Sequence, residues 1–182
     1  MLLKIKLGLK TEATWTTGFG HLKRLQNLVA GWNNIEPLFI SSAALPTLQY
    51  ANVQVNSAAD FLEVVQELDI LMIDEPELNS EFFKSIPADC KVVGFDELGL
   101  LRERLNIHFA TTLLGLENRI EQRGITTEYI GPDYFIFPKV ELTAKIEPNR
   151  KFLVTFGGSD PAGLSQKFLE NMSSEILQSS SM

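Results

Sequence analysis

The sequence is poor in the residues that build disulfides and zinc sites. Among its 182 residues there are one cysteine, Cys90, and two histidines. A single cysteine excludes an intramolecular disulfide and a zinc site made of several cysteines. Metal binding would then depend mainly on carboxylates, and we predict neither a metal site nor a cofactor.

Positive charge is also scarce. Lysine and arginine total 16 against 23 aspartates and glutamates, which gives a formal net charge of −7. A nucleic-acid partner needs clustered basic residues that neutralise its phosphates, and this sequence has no such cluster. We therefore expect no nucleic-acid partner, although a few local donors are enough to hold a small anion.

Long apolar runs are missing as well. No stretch approaches the roughly 18 apolar residues that a membrane-spanning helix needs, and the N-terminus does not resemble a secretion signal. The composition, with 45% hydrophobic and 21% charged residues, is that of an ordinary globular protein. The sequence therefore predicts no membrane association and a cytoplasmic location, and it does not indicate the oligomeric state.

Strand-like and helix-like segments alternate along the chain. Apolar runs predict strands, and apolar residues at helical spacing predict helices between them. The predicted strands are 2–9, 35–41, 50–55, 69–74 and 91–96, while 106–114 and 127–137 predict one or two edge strands. The predicted helices begin near 22, 58, 80 and 116. This alternation predicts an α/β fold with a Rossmann-like parallel sheet. Asp74 and Asp96 end two of the strands, at the edge where such sheets bind ligands.

Two glycine-rich turns lie at opposite ends of the chain, each between a predicted strand and a predicted helix. The first contains Gly18, Gly20 and His21. The second is formed by the following residues: Gly157, Gly158, Ser159, Asp160 and Pro161. Glycine lets the backbone approach an anion, and the first amides of a helix attract negative charge. We therefore predict that both turns contact a phosphate-bearing ligand, and that His21 transfers a proton there.

Each of these residues also has a purely structural interpretation. His21 could pack on its helix, and Asp74 and Asp96 could cap the turns that follow their strands. Ser159 or Asp160 could cap a helix that Pro161 opens. His108 is interpreted as a buried strand histidine without a catalytic role.

The end of the sequence suggests a second domain. Residues 138–150 combine prolines with mixed charges and are interpreted as a linker. We expect residues 1–137 to form the first domain and 151–182 to form the first strand, glycine loop and helix of a second, truncated nucleotide-binding domain.

Five segments, in this order, carry a resemblance to a known family. They are residues 17–24, 69–74, 93–98, 129–134 and 154–161, which read TGFGHLKR, DILMID, VGFDEL, YIGPDY and VTFGGSDP. Together they resemble the nucleotide-sugar hydrolases of the pseudaminic acid pathway and the related spore-coat polysaccharide biosynthesis protein G. The resemblance extends over nearly the whole chain.

The resemblance implies a GT-B architecture, in which two Rossmann-like domains enclose the active site. It implies metal-free release of UDP from an activated deoxy-amino sugar, with His21 as the general base and the loop of Gly157, Gly158, Ser159 and Asp160 on the diphosphate. The implied sugar-side residues are Gly18, Gly20, Lys10, Glu12, Asp74 and Asp96.

The sequence also departs from the family. Lys10 and Glu12 stand where the family usually has arginine and aspartate, and Glu75 and Pro76 replace a histidine–tyrosine pair. A GT-B glycosyltransferase, in which a sugar hydroxyl replaces water, stays open as an alternative, because the same base and phosphate contacts serve both reactions. So does a non-catalytic, truncated remnant.

Overall fold

The computed structural model describes residues 4–75, 78–96, 103–111, 127–138, 154–156, 160 and 162–172. Within these residues the chain forms seven strands, four α-helices and a short 3₁₀ helix at Pro132–Tyr134. The strands are β1 (Ile5–Thr11), β2 (Ile35–Ser41), β3 (Ala51–Gln54), β4 (Ile70–Asp74), β5 (Lys91–Phe95), β6 (Ile107–Ala110) and β7 (Thr127–Ile130). The α-helices are α1 (Gly20–Val29), α2 (Ala58–Val65), α3 (Ser80–Ser85) and α4 (Leu164–Asn171).

The strands form one parallel sheet in the order β3-β2-β1-β4-β5-β6-β7. The order runs outward in both directions from β1 and β4, which lie side by side with Thr11 opposite Asp74. Parallel sheets of this kind bind ligands beyond the carboxyl ends of the strands, at the point where the strand order reverses. The predicted α/β, Rossmann-like fold is confirmed, and its reversal point lies between β1 and β4.

The core has two layers because the central strands bury both of their faces. Leu7 and Leu9 of β1 pack with Leu22 and Leu25 of α1 on one face. On the other face Phe61 of α2 belongs to the same buried cluster as residues of β4 and α3. Continuous apolar strands are typical of parallel sheets covered on both sides. Helix α1 is thereby fixed against the sheet directly beside the reversal point.

Some predicted boundaries differ from the structure. The strand predicted over 127–137 ends at Ile130, because Gly131 has a φ of 117° and Pro132 then opens the 3₁₀ helix. Residues 154–156 belong to no strand, and α4 begins only at Leu164. The predicted helix over 116–123 and the linker after residue 138 lie outside the described residues, so the domain division stays a prediction.

Candidate active site

The start of α1 has the features of an anion site. Gly18 adopts a φ of 78° and donates its N–H to the Thr14 carbonyl at 2.8 Å, which closes the turn. The helix then begins at Gly20 with no side-chain cap and no acidic residue in its first turn. Its first amides keep their hydrogen-bonding capacity for another group, and the helix dipole favours an anion there. Gly18 thus has the left-handed backbone that favours glycine, and Gly20 is the first residue of the helix.

His21 and Asp74 form a hydrogen-bonded pair at this helix start. The His21 Nδ1 lies 2.7 Å from Asp74 Oδ1; the histidine side chain is 29% exposed and the aspartate side chain is completely buried. A carboxylate can only accept, so this contact requires the proton on Nδ1 and leaves Nε2 as the basic nitrogen. Nε2 has no hydrogen-bond partner within the described part of the chain. The two predicted residues therefore form a unit that can take up a proton.

Arg24 joins the two predicted aspartates, and the sequence interpretation missed it. Its Nε and Nη2 donate to the two oxygens of Asp74 at 2.6 and 2.5 Å, and its Nη1 donates to Asp96 Oδ2 at 2.6 Å. Arg24 lies three residues after His21 on a helix, and this spacing was a usable signal that both share one face. No comparable spacing signal marked Thr111, which donates to Asp96 through its backbone N–H at 2.7 Å and through its hydroxyl.

Charge and burial oppose each other in this cluster. Burial alone would lower the pKa of Arg24, but the hydrogen bonds and charges of Asp74 and Asp96 outweigh it and raise that pKa. Burial alone would raise the pKa of Asp96, but hydrogen bonds from Thr111 and Arg24 and the charge of Arg24 lower it below its ordinary value of 3.8. Both groups are thus held in their charged forms.

A cavity of about 430 Å³ opens beside this cluster. Helix α1 lines one side, including Gly20, His21 and Lys23, and Asp96 also contributes. The residues that follow the 3₁₀ helix, 135–138, line it too and include two phenylalanines. A cavity of this size, with apolar walls and a few convergent polar groups, is typical of a small-molecule site.

Lys10 and Glu12, predicted to bind substrate, form a separate buried cluster. The Lys10 Nζ lies 2.7 Å from Glu12 Oε1 and 2.6 Å from Glu75 Oε2, and its side chain is 1% exposed. Glu12 also accepts the backbone N–H of Ser42 at 2.6 Å. Burial would raise the pKa of Glu12, but the Lys10 and Ser42 contacts lower it. Neither predicted residue lines the cavity, so the structure supports a structural role for both.

Asp160 is the described residue of the second predicted glycine loop, since Gly157, Gly158 and Ser159 lie outside the described residues. Its carboxylate accepts the backbone N–H groups of Leu164 and Ser165, both at 2.8 Å, at the start of α4. Hydrogen bonds from Ser165 lower the pKa of Asp160. The helix begins at Leu164 with Gly163 as its N-cap residue, later than the structural interpretation expected, but the Asp160 side chain still binds two of the amides that a diphosphate would need.

His108 has the structural role that the sequence indicated. It is 1% exposed, and its Nδ1 lies 2.8 Å from Glu128 Oε1 across the β6–β7 pair. Among the described residues, no group of three or more histidine, cysteine, aspartate or glutamate side chains is arranged to hold a metal ion. No helix in the described ranges combines the length and apolarity that crossing a membrane requires.

The lowered pKa of Asp96 gives a pH-dependent prediction. The stabilisation from its charged form is complete above about pH 3.8 and is lost as the pH falls through the lower folded-state pKa. We expect the difference in unfolding free energy between the wild type and Asp96→Asn to shrink as the pH falls below about 4. Urea unfolding followed by circular dichroism between about pH 6 and pH 2.5 measures it. A difference that stays constant over this range would contradict the prediction.

Comparisons with known proteins give little functional information. No protein-family model matches the chain. An uncharacterized protein of Methanocaldococcus jannaschii is 25% identical over 94% of this chain, which spans 40% of the length of that relative. The formate dehydrogenase of Granulicella m. aligns with 74% of this chain and 39% of its own, at a TM-score of 0.43 and 13% identity. A TM-score of this size carries no argument, so the fold assignment rests on the strand order and the site on its own geometry.

Proposed function

We propose that this chain forms the sugar-side part of a nucleotide-sugar hydrolase that releases UDP from an activated deoxy-amino sugar, for surface or spore-coat polysaccharide biosynthesis. One observation carries the proposal. A histidine oriented by a completely buried aspartate borders a cavity at an uncapped helix start. This arrangement combines a base with an anion site, which are the two elements that metal-free cleavage of a sugar–diphosphate bond requires.

In the proposed reaction, His21 Nε2 takes a proton from a water molecule as the water oxygen attacks the anomeric carbon. The bond between that carbon and the diphosphate oxygen breaks, and UDP leaves with the electron pair. Asp74 stabilises the imidazolium that forms, because its carboxylate holds the Nδ1 proton. The imidazolium then returns its proton to solvent or to the departing diphosphate.

The negative charge that grows on the leaving phosphate needs donors. The first amides of α1 provide them, and the exposed Lys23 adds a positive charge at the cavity wall. Arg24 has no surplus charge for this purpose, because two carboxylates already surround it. Since the second glycine loop matches the family's nucleotide loop, we propose that the remaining diphosphate contacts come from the second domain of a GT-B architecture.

The test is an assay of the protein as its own gene encodes it, with a UDP-diacetamido-trideoxyhexose and without any acceptor. We expect equal amounts of UDP and free sugar to appear. UDP-N-acetylglucosamine serves as the control, since it has the same nucleotide but a different sugar. If UDP is released only after a sugar acceptor is added, the protein is a glycosyltransferase and the hydrolase proposal is wrong. No release and no binding in calorimetry would favour a non-catalytic remnant.

A further inference from the structure

A chain of polar contacts links the end of β6 to His21. Thr111 donates to Asp96, Asp96 accepts from Arg24, Arg24 binds both oxygens of Asp74, and Asp74 binds His21. These residues come from α1, from the end of β4, and from the residues that directly follow β5 and β6. The contacts therefore connect Thr111, which does not line the cavity, to the proposed base.

The guanidinium of Arg24 is used almost entirely inside this chain of contacts. Its side chain is 13% exposed, and its short hydrogen bonds all go to Asp74 and Asp96. Because the single positive charge of Arg24 is paired with two carboxylates, it is not available to bind an anionic ligand. A planar guanidinium that binds both oxygens of a carboxylate also fixes the rotation of that carboxylate. The position of Asp74 Oδ1, and with it the Nδ1 contact of His21, depends on Arg24.

The conformation of Asp96 is consistent with a positioning role. Its φ of 49° is unusual for a residue other than glycine, and its backbone N–H donates to the Phe109 carbonyl at 2.8 Å. Its two carboxylate oxygens are both engaged by Thr111, and Oδ2 also by Arg24. Asp96, directly after β5, is thus held in place and fixes the far end of Arg24.

We propose that Arg24, held by Asp96 and Thr111, is a positioning residue that fixes Asp74 and thereby keeps His21 in the tautomer with the proton on Nδ1. The charged group in contact with His21 is Asp74 from β4. Lys23 and Arg24 from α1 and Asp96 after β5 line the same cavity as His21. The kinetic consequence rests on the proposed hydrolase function, whereas the tautomer itself does not.

The tautomer can be measured directly by long-range ¹H–¹⁵N correlation of the imidazole rings at about pH 8, above the ordinary titration range of histidine. The chain contains two histidines, so His21→Gln assigns the signals, and His108 is an internal reference. We expect the wild-type His21 to show the Nδ1–H form alone. Asp96→Asn, which tolerates the left-handed backbone, and Arg24→Gln should both give averaged signals for His21 and leave His108 unchanged.

Arg24→Lys separates geometry from charge. Lysine keeps the charge but cannot bind both oxygens of Asp74, so a positioning role predicts averaged His21 signals in this variant too. Unchanged His21 signals in all three variants, or a wild-type ring with the proton on Nε2, would overturn the proposal.

The kinetic test compares the effect of each substitution on kcat with its effect on KM. At metal sites, removing the group that orients a functional histidine lowers activity or metal affinity by about 10- to 100-fold. We expect Asp96→Asn to lower kcat for UDP release by about that factor, with KM changed less than about twofold. An increase of KM alone in Arg24→Lys would mean direct substrate contact and would overturn the positioning role. If the wild type releases no UDP, the hydrolase function fails and the tautomer measurement still decides this proposal.

Discussion

Replacing His21 with alanine is expected to lower kcat for UDP release by about 10² to 10⁴, which corresponds to roughly 3–5 kcal/mol of transition-state stabilisation. The expectation follows from the pair of His21 and Asp74, in which Nε2 alone is available to accept a proton from water. KM should change little, because a general base acts mainly in the transition state. Steady-state assay of UDP release by the protein encoded by its gene measures both constants.

Gln26→Ala is the matched control for this substitution. Gln26 belongs to the same helix and does not line the cavity, so kcat should stay within about twofold of the wild type. His21→Gln should behave like the alanine variant, since its amide is not a base. A His21→Ala protein that is folded and releases UDP at the normal rate would remove the base from the mechanism.

Replacing Lys10 with methionine is expected to lower the free energy of unfolding by about 3–5 kcal/mol. The substitution removes the cation between Glu12 and Glu75, whose side chains are 18% and 2% exposed. The Lys10 ammonium also lies over the Phe82 ring, 5.7 Å from its centroid, and methionine loses this smaller cation–π contribution. The expected loss comes mainly from removing the ammonium that Glu12 and Glu75 share.

Urea unfolding of the wild type and of Lys10→Met measures this effect, and the exposed ion pair of Lys6 and Glu67 provides the control. Lys6 lies 3.7 Å from Glu67, but these side chains are 54% and 72% exposed, so Lys6→Met should change stability by less than about 1 kcal/mol. Adding Glu75→Gln to Lys10→Met should recover part of the loss, because the two sites are coupled. Equal effects of the Lys10 and Lys6 substitutions would contradict the assigned role of the buried cluster.

The sheet was largely predictable because its buried strands are recognisable as short apolar runs in the sequence. The strand predicted at 35–41 has these bounds in the structure, and the apolar run before Asp96 forms β5. Central strands of a parallel sheet bury both faces, so their apolar runs stand out without knowledge of their neighbours. The edge region was less predictable: β7 ends after four residues, where Gly131 adopts a backbone conformation that the apolar pattern does not encode.

The candidate site was predictable only in part. His21, Asp74 and Asp96 were identified from their positions at a helix start and at strand ends, and the structure brings all three to one edge of the sheet. Lys10 and Glu12 were assigned to substrate through the family resemblance, but the side chain of Lys10 binds Glu12 and Glu75 in the interior. A residue in a buried strand can point to either layer, and a charged residue then pairs with whatever charge that layer contains.

By itself the sequence determined the alternation of strands and helices, the glycine turn before α1, and the acids at the end of β4 and directly after β5, because polarity and turn chemistry act between neighbouring residues. Only the tertiary structure decided which charges meet. Arg24 contacts partners 50 and 72 residues away, and Asp96 contacts one 15 residues away. Ion pairs and hydrogen bonds form over distances of about 3 Å in space, and separation along the chain does not specify such distances.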